Sequence, residues 1–176
     1  MIAHFNLGEA FQAQNKLKQA MSSYQTAINL NPSFVEAYLN LSQILRLKGR
    51  LYAAIEVLQR SLKINPLQVQ GINLLGHFYK ELGDIDSAFS CFDRAFQLDP
   101  KNTIANIELI NIYRNSQNLN KAIEHCNIIS NARPNSLEIM SIEIFLKKQI
   151  CDWSCNRKVK SFLDRVVKDS TSINPL

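Results

Sequence analysis

Apolar residues along the chain recur at steps of three and four, and the same arrangement returns several times at one fixed spacing. Leu7 and Phe11 are four apart, and Ala20, Tyr24 and Ala27 follow at steps of four and three. Residues at these steps share one face of a helix, so each stretch predicts an amphipathic helix. The predicted helices are residues 2–14, 17–30, 35–48, 51–64, 69–82, 85–98, 103–116 and 119–131, with two more near 136–150 and 156–169.

Four evenly spaced prolines mark this spacing, at Pro32, Pro66, Pro100 and Pro134, and we call the step from one to the next the repeat period. A proline cannot continue a helix, so each is expected to end the second helix of a unit. Small residues at the same step are expected to let two helices approach closely, and they are Gly8, Ala20, Ala54, Gly76, Ala88 and Ala122. A break between the two helices of each unit is expected at Asn15, Gly49, Gly83 and Gln117, and the two glycines suit a left-handed helix stop. The repeated unit is therefore helix, turn, helix.

The period, the small and large apolar columns and the prolines together resemble the tetratricopeptide repeat (TPR) family. The resemblance implies an all-α fold, a TPR-type α-solenoid wound as a right-handed superhelix. It implies four helix-turn-helix repeats at residues 1–34, 35–68, 69–102 and 103–134. After Pro134 the period is expected to fail, and residues 135–176 are expected to hold an extra helix, a Cys-Asp-Trp segment and a capping helix.

A second resemblance lies in the tail, where the segment from Gln149 to Ser154 contains Cys151, Asp152 and Trp153. Together with the last predicted helix it is similar to the junction between repeats and catalytic region in O-linked N-acetylglucosamine transferases. The resemblance implies that the chain recruits substrates, and that UDP-N-acetylglucosamine is a cofactor only if a catalytic region exists. The 176 residues are expected to be a fragment, a truncated reading frame or a stand-alone remnant. Trp153 is expected to anchor the capping region.

Two asparagines, Asn6 and Asn40, occupy one column, each one residue before a repeated leucine. In the transferases that the tail resembles, asparagines in this column line the inner groove and hold the backbone of an extended peptide. A carboxamide suits that task because it offers both a donor and an acceptor. The column continues as Leu74 and Glu108, with Asn73 beside the first, so the predicted grip is partial. The alternative is that these asparagines only meet solvent.

Other residues predicted by the repeat phase to face the groove are Glu9, Gln12, Gln43, Arg46, His77, Lys80, Asn111 and Arg114. Arg46, Lys80 and Arg114 form one column, which suits the carboxylates of an acidic peptide. A solvated charged face is again the alternative.

Composition and charge exclude several classes of protein. The chain is 46% hydrophobic and 20% charged, as in an ordinary globular protein. Residues 1–146 hold 13 Lys and Arg against 12 Asp and Glu, so the repeats lack the basic stripe of a nucleic-acid-binding protein. No apolar run reaches the roughly 18 residues of a membrane span. The N-terminus lacks a secretory signal pattern, so a cytoplasmic location and reduced cysteines are expected.

Residues capable of catalysis or metal binding are few and dispersed. The three histidines, His4, His77 and His125, fall in different units, and no catalytic role is expected for them. Cys151 and Cys155 are four apart, but two ligands do not complete a zinc site, so no metal is expected. No glycine-rich phosphate loop occurs. The chain is therefore predicted not to be an enzyme by itself.

These observations predict a protein–protein interaction module that binds an extended partner peptide in a concave groove. The tail adds the expectation that it is the substrate-recruiting part of a protein glycosyltransferase. Two alternatives stay open: a fragment of an active nucleotide-sugar-dependent protein glycosyltransferase, and an assembly scaffold that self-associates. RNA binding, which other helical repeats perform, has the least support.

Overall fold

In a computed structural model, which describes residues 1–134, 136–150, 160 and 164, the described chain is all helical. Its nine helices are α1 (Ile2–Ala13), α2 (Leu17–Leu30), α3 (Val35–Leu47), α4 (Leu51–Ile64), α5 (Val69–Glu81), α6 (Ile85–Leu98), α7 (Thr103–Asn115), α8 (Leu119–Ala132) and α9 (Leu137–Gln149). The predicted bounds differ from these by at most one residue. Lys160 and Asp164 are helical too, and the rest of the predicted helix 156–169 lies outside the described residues.

The helices pack against their neighbours in sequence, and the chain divides into two compact units. Unit 1 comprises residues 1–94 and unit 2 comprises residues 95–176. In unit 1, α1 packs on α2, α2 on α3, α3 on α4 and α4 on α5. In unit 2, α7 packs on α8 and α8 on α9. Within each unit these helices therefore bury their apolar faces against one another, as the α-solenoid class requires.

The turn between the two helices of a pair has the same geometry four times. Asn15, Gly49, Gly83 and Gln117 have φ values of 57°, 70°, 81° and 60°. The residue after each turn donates its backbone N–H to a carbonyl five residues earlier, as Arg50 does to Leu45 O at 2.9 Å. Glycine adopts this conformation without strain, and asparagine tolerates it. The four predicted breaks and the left-handed stops at the two glycines are confirmed, and the left-handed conformation of Asn15 and Gln117 is an additional finding.

Turns between successive pairs are closed by the residue before each of the first three prolines. The side-chain oxygens of Asn31, Asn65 and Asp99 accept the backbone N–H of the residue two positions later, at 3.0, 3.3 and 3.1 Å. These are Asx turns, which replace the hydrogen bonds that a helix would otherwise make. The four prolines that mark the repeat period are themselves exposed. The sequence predicted only that each of them ends the second helix of a unit.

The small residues of the repeat are buried where a partner ring lies against the helix backbone. A Cβ atom built on Gly8 would lie 2.6 Å from the Tyr24 ring, and one on Gly76 would lie 2.8 Å from the Phe92 ring. Real Cβ contacts are longer, so glycine is required for both rings to sit there. The alanines of the small columns (Ala20, Ala54, Ala88 and Ala122) have no exposed surface.

Two expectations about the ends of the repeat need correction. Leu7 is 44% exposed, whereas Leu41, Leu75 and Leu109 of the same column are buried; α1 is the first of the described helices, and it packs on α2. The period does not fail after Pro134: α9 begins one repeat period after α7 and packs on α8. Only the residue types change there, since the leucine column continues as Glu143.

Replacing Ser61 by alanine is expected to stabilise the fold by about 1 kcal/mol. The Ser61 hydroxyl is fully buried and has no hydrogen-bond partner among the described residues, so its dehydration is uncompensated. Ala27 and Ala95 occupy the same column and are equally buried, so the methyl group fits. Urea unfolding followed by circular dichroism measures the change. The control Ser42→Ala removes a hydroxyl that bonds Leu39 O at 2.7 Å and should bring no gain; equal gains from both would contradict the argument.

Candidate functional site

The predicted groove residues of unit 1, apart from Asn73, lie on the first helices of the pairs at equivalent repeat positions. We call the exposed side of α1, α3 and α5 the first-helix face of unit 1, and the exposed side of α7 and α9 the first-helix face of unit 2. Asn6 and Lys80 are exposed on the face of unit 1, and the half-buried residues there are Asn40, Gln43, Arg46 and His77. The repeat phase therefore places these polar side chains at equivalent positions of α1, α3 and α5, and their role in peptide binding stays a prediction.

A cleft of about 440 Å³ opens on this face of unit 1, and we call it the first cleft. It is lined by Arg46, Leu74, His77, Phe78, Lys80 and Glu81. Phe78 is 1% exposed and forms an apolar floor. Arg46 Nη1 lies 3.4 Å from Glu81 Oε2, and both side chains are nearly half exposed. The cleft thus combines an apolar floor with two cations and one carboxylate at its rim.

One residue of the asparagine column, Asn40, is hydrogen-bonded to the buried Tyr24 of α2. Tyr24 Oη donates to Gln12 Oε1 at 2.9 Å and accepts from Asn40 Nδ2 at 3.3 Å. Burial raises the pKa of Tyr24, so the phenol stays protonated and keeps donating. The Asn40 carboxamide is therefore held in place by one of its donors, while Asn6 is exposed.

Asn73 does not belong to the peptide-binding set in which the sequence placed it. Its side chain is only 4% exposed, in the interior of unit 1. Position 73 lies one residue before Leu74, which turns it about 100° round the helix from the cleft. An extended peptide on the first-helix face cannot reach this amide, so the prediction for Asn73 is corrected.

In unit 2, the first-helix face continues from α7 onto α9. Asn111 and Arg114 are half-buried on α7. The Arg114 guanidinium lies 6.0 Å from the centre of the Phe145 ring, which is 49% exposed, and Lys148 is exposed nearby on α9. Phe145 and Lys148 follow Asn111 and Arg114 by one repeat period. Sequence reasoning missed both because it ended the period at Pro134.

His125 is part of a buried hydrogen-bonded cluster in unit 2. The Asn106 Nδ2 group donates to Pro100 O and Asn102 O at 2.9 and 2.8 Å, so its Oδ1 is the acceptor facing His125 Nδ1 at 2.9 Å. His125 Nδ1 therefore carries a proton. The Tyr113 ring stacks on the imidazole at 5.5 Å. This arrangement packs and orients the histidine and gives no access to a substrate.

The described cysteines are packed thiols. Cys126 has no exposed surface, and burial raises the pKa of Cys91 to about 11, so its thiolate is disfavoured at neutral pH. Among the described residues, no group of three or more His, Cys, Asp or Glu side chains is placed to hold a metal ion. Cys151, Trp153 and Cys155 lie outside the described residues. None of the described helices is long and apolar enough to cross a bilayer.

Family models match most of the repeat region. A model described as "TPR repeat" matches residues 8–45, and two described as "Tetratricopeptide repeat" match residues 35–66 and 79–140. Together they cover more than half of the chain. No curated protein matches the chain at a significant level.

Solved structures share the fold. The crystal structure of MamA protein has a TM-score of 0.79 at 18% identity, over 99% of this chain and 96% of that one. PilF of Pseudomonas aeruginosa has a TM-score of 0.76 at 17% identity, over 93% and 74%. YrrB, described as "a TPR protein with an unusual peptide-binding site", has a TM-score of 0.68 at 18% identity, over 94% and 84%. At these identities the likeness concerns the fold alone.

Proposed function

The chain belongs to the tetratricopeptide repeat family, and from that premise we propose that it binds an extended segment of a partner protein on its first-helix face. The first cleft is the observation that carries the proposal. Its apolar floor at Leu74 and Phe78 can take one side chain of an extended peptide, while polar groups at the rim hold the chain beside it. YrrB, which shares the fold, is described as having a peptide-binding site, and this likeness supports the same kind of ligand here.

The charges at the rim favour a peptide that carries carboxylates. Arg46 and Lys80 both line the first cleft, and Arg114 and Lys148 stand at the same repeat position in unit 2. A guanidinium binds a carboxylate through two parallel N–H donors, and an ammonium adds charge without directional demand. An acidic peptide with intervening apolar residues therefore complements both the floor and the rim.

Fluorescence anisotropy with a labelled decapeptide of alternating leucine and glutamate tests this function. The matched probe alternates leucine and glutamine, and binding of the acidic probe is expected to be tighter and to weaken as salt is added. The double variant Arg46→Gln, Lys80→Gln should weaken the acidic complex about two- to fivefold. Arg60, whose guanidinium lies 5.6 Å from the centre of the Tyr38 ring, supplies the control Arg60→Gln.

Two outcomes of that titration would overturn the proposal. One is that neither peptide binds in a saturable manner. The other is that the Arg60→Gln control loses as much affinity as the variant of the first cleft, since a general charge effect would then explain the binding.

A recruiting role for a protein glycosyltransferase is the narrower form of the proposal. It rests on the residues from Gln149 to Ser154, most of which lie outside the described residues. Calorimetry with UDP, alongside a transfer assay with UDP-N-acetylglucosamine, tests whether the chain itself handles the donor. We expect neither heat of binding nor transfer; either signal would make the chain an enzyme and contradict the recruiting role.

A further inference from the structure

The lining of the first cleft recurs in unit 2. Each of its six positions has a counterpart two repeat periods later in the chain. The counterparts are Arg114, Ile142, Phe145, Leu146, Lys148 and Gln149. The helices that carry them, α7 and α9, begin two repeat periods after α3 and α5. The repeat therefore delivers the same set of positions to the first-helix face of each unit.

Burial at the paired positions matches as well. Phe78 is 1% exposed and its counterpart Leu146 is fully buried, so both provide a floor. Ile142 packs half-buried against the core of unit 2, as Leu74 does in unit 1. Lys148 is exposed at the rim. The physical character of the first cleft, an apolar floor beneath exposed cations, is thus present a second time.

The two places differ in one charge. In the first cleft the Glu81 carboxylate lies 3.4 Å from Arg46 and accepts a hydrogen bond from its Nη1 group. The counterpart of Glu81 is Gln149, which carries no charge, and Arg114 lies over the Phe145 ring instead. A guanidinium stacked on a ring keeps the N–H donors of its edge available for a carboxylate. In the first cleft, Glu81 therefore competes with an acidic ligand for Arg46. The matching position in unit 2, Gln149, carries a neutral amide and does not compete in this way.

We infer that Arg114, Phe145 and Lys148 form a second acid-binding site, and that this site binds a peptide carboxylate more tightly than the first cleft does. The inference rests on the proposed function, since it assumes an acidic peptide as the ligand. A carboxylate entering the first cleft must displace Glu81 from Arg46. A peptide carboxylate that enters the second site meets two cations and no carboxylate at the matching positions. The exposed Phe145 ring then contacts the apolar side chain of the peptide that neighbours this carboxylate.

A reciprocal exchange at the one differing position tests the inference with the same leucine–glutamate decapeptide. Glu81→Gln removes the competitor and should tighten binding about two- to fivefold. Gln149→Glu introduces a carboxylate at the same sequence spacing from Arg114 and should weaken binding by a similar factor. Both positions are exposed, so the exchange leaves the core unchanged.

Neutralising the cations completes the design. Arg114→Gln should weaken the acidic complex more than Arg46→Gln does, and Lys148→Gln serves as a second variant that leaves the stacked pair intact. Thermal unfolding of each variant identifies any loss that comes from the fold. If the wild-type chain binds no peptide, the proposed function itself fails. If it binds and Arg46→Gln weakens the complex, but neither Arg114→Gln nor Gln149→Glu does, the second site alone is overturned.

Discussion

Replacing Gly76 by leucine is expected to destabilise unit 1 by about 1–3 kcal/mol, because the site has no room for a side chain. A Cβ atom there would lie 2.8 and 2.9 Å from two carbons of the Phe92 ring and 3.1 Å from Cys91 Cβ. Phe92 is fully buried and cannot swing into solvent. Either the ring leaves its rotamer or the two helices separate, and both responses lose packing.

Urea unfolding of the Gly76 variant, followed by circular dichroism, measures that loss. Gly76→Ala should give a smaller shift in the same direction, since it adds only the clashing Cβ. Ser90→Leu is the matched control, because Ser90 is exposed on α6 and the added leucine meets solvent; its effect should stay within about 0.5 kcal/mol. An unchanged unfolding midpoint for Gly76→Leu would contradict the close approach of the Phe92 ring.

Replacing Lys147 by methionine is expected to cost about 3–5 kcal/mol, the largest effect predicted for a single change in unit 2. Glu143 is 1% exposed, and its carboxylate lies 3.0 Å from Lys147 Nζ. Ser130 Oγ donates to the same carboxylate at 3.2 Å. Removing the ammonium takes the 3.0 Å ion pair away from a buried carboxylate, and desolvation of that charge is then less well compensated.

The double variant Glu143→Leu, Lys147→Tyr separates burial of charge from loss of packing. These residues restore what the preceding repeat carries, because Leu109 and Tyr113 occupy the two positions one repeat period earlier. Replacing a buried ion pair by packed apolar residues is often neutral or stabilising by about 1–4 kcal/mol. The double variant should therefore recover or exceed the wild-type unfolding free energy. A mild effect of Lys147→Met alone would mean that water reaches Glu143.

Local features of the fold were predictable because they depend on spacing along the chain. The repeat period located the helix bounds to within one residue, and Gly49 and Gly83 marked turns that require a left-handed conformation. The repeat period alone is an insufficient guide where a polar residue occupies a position that is apolar in the other repeats. In α9, Glu143 and Lys147 form an ion pair at positions that are apolar in the other repeats. Because these two residues are polar, the apolar pattern along the sequence did not indicate that the repeat period continues into α9.

Features of the candidate site that depend on contacts between helices were not predictable. The pairing of Arg46 with Glu81 joins α3 to α5, and the bond from Asn40 to Tyr24 joins α3 to α2. Neither of these two contacts follows from the repeat period, because the partner of a long side chain depends on how the neighbouring helices pack. Asn73 was predicted as a peptide ligand because it lies beside the asparagine column, whereas its place on α5 buries it.

The most direct test of the central claim, that the first-helix face holds a partner's peptide, is a titration of the ¹⁵N-labelled chain followed by amide correlation spectra. The leucine–glutamate decapeptide is the ligand. The account predicts saturable shifts that are largest on the first-helix face, around Arg46, His77, Arg114 and Phe145. Shifts that are largest on α2, α4 and α8, or that never saturate, would contradict it.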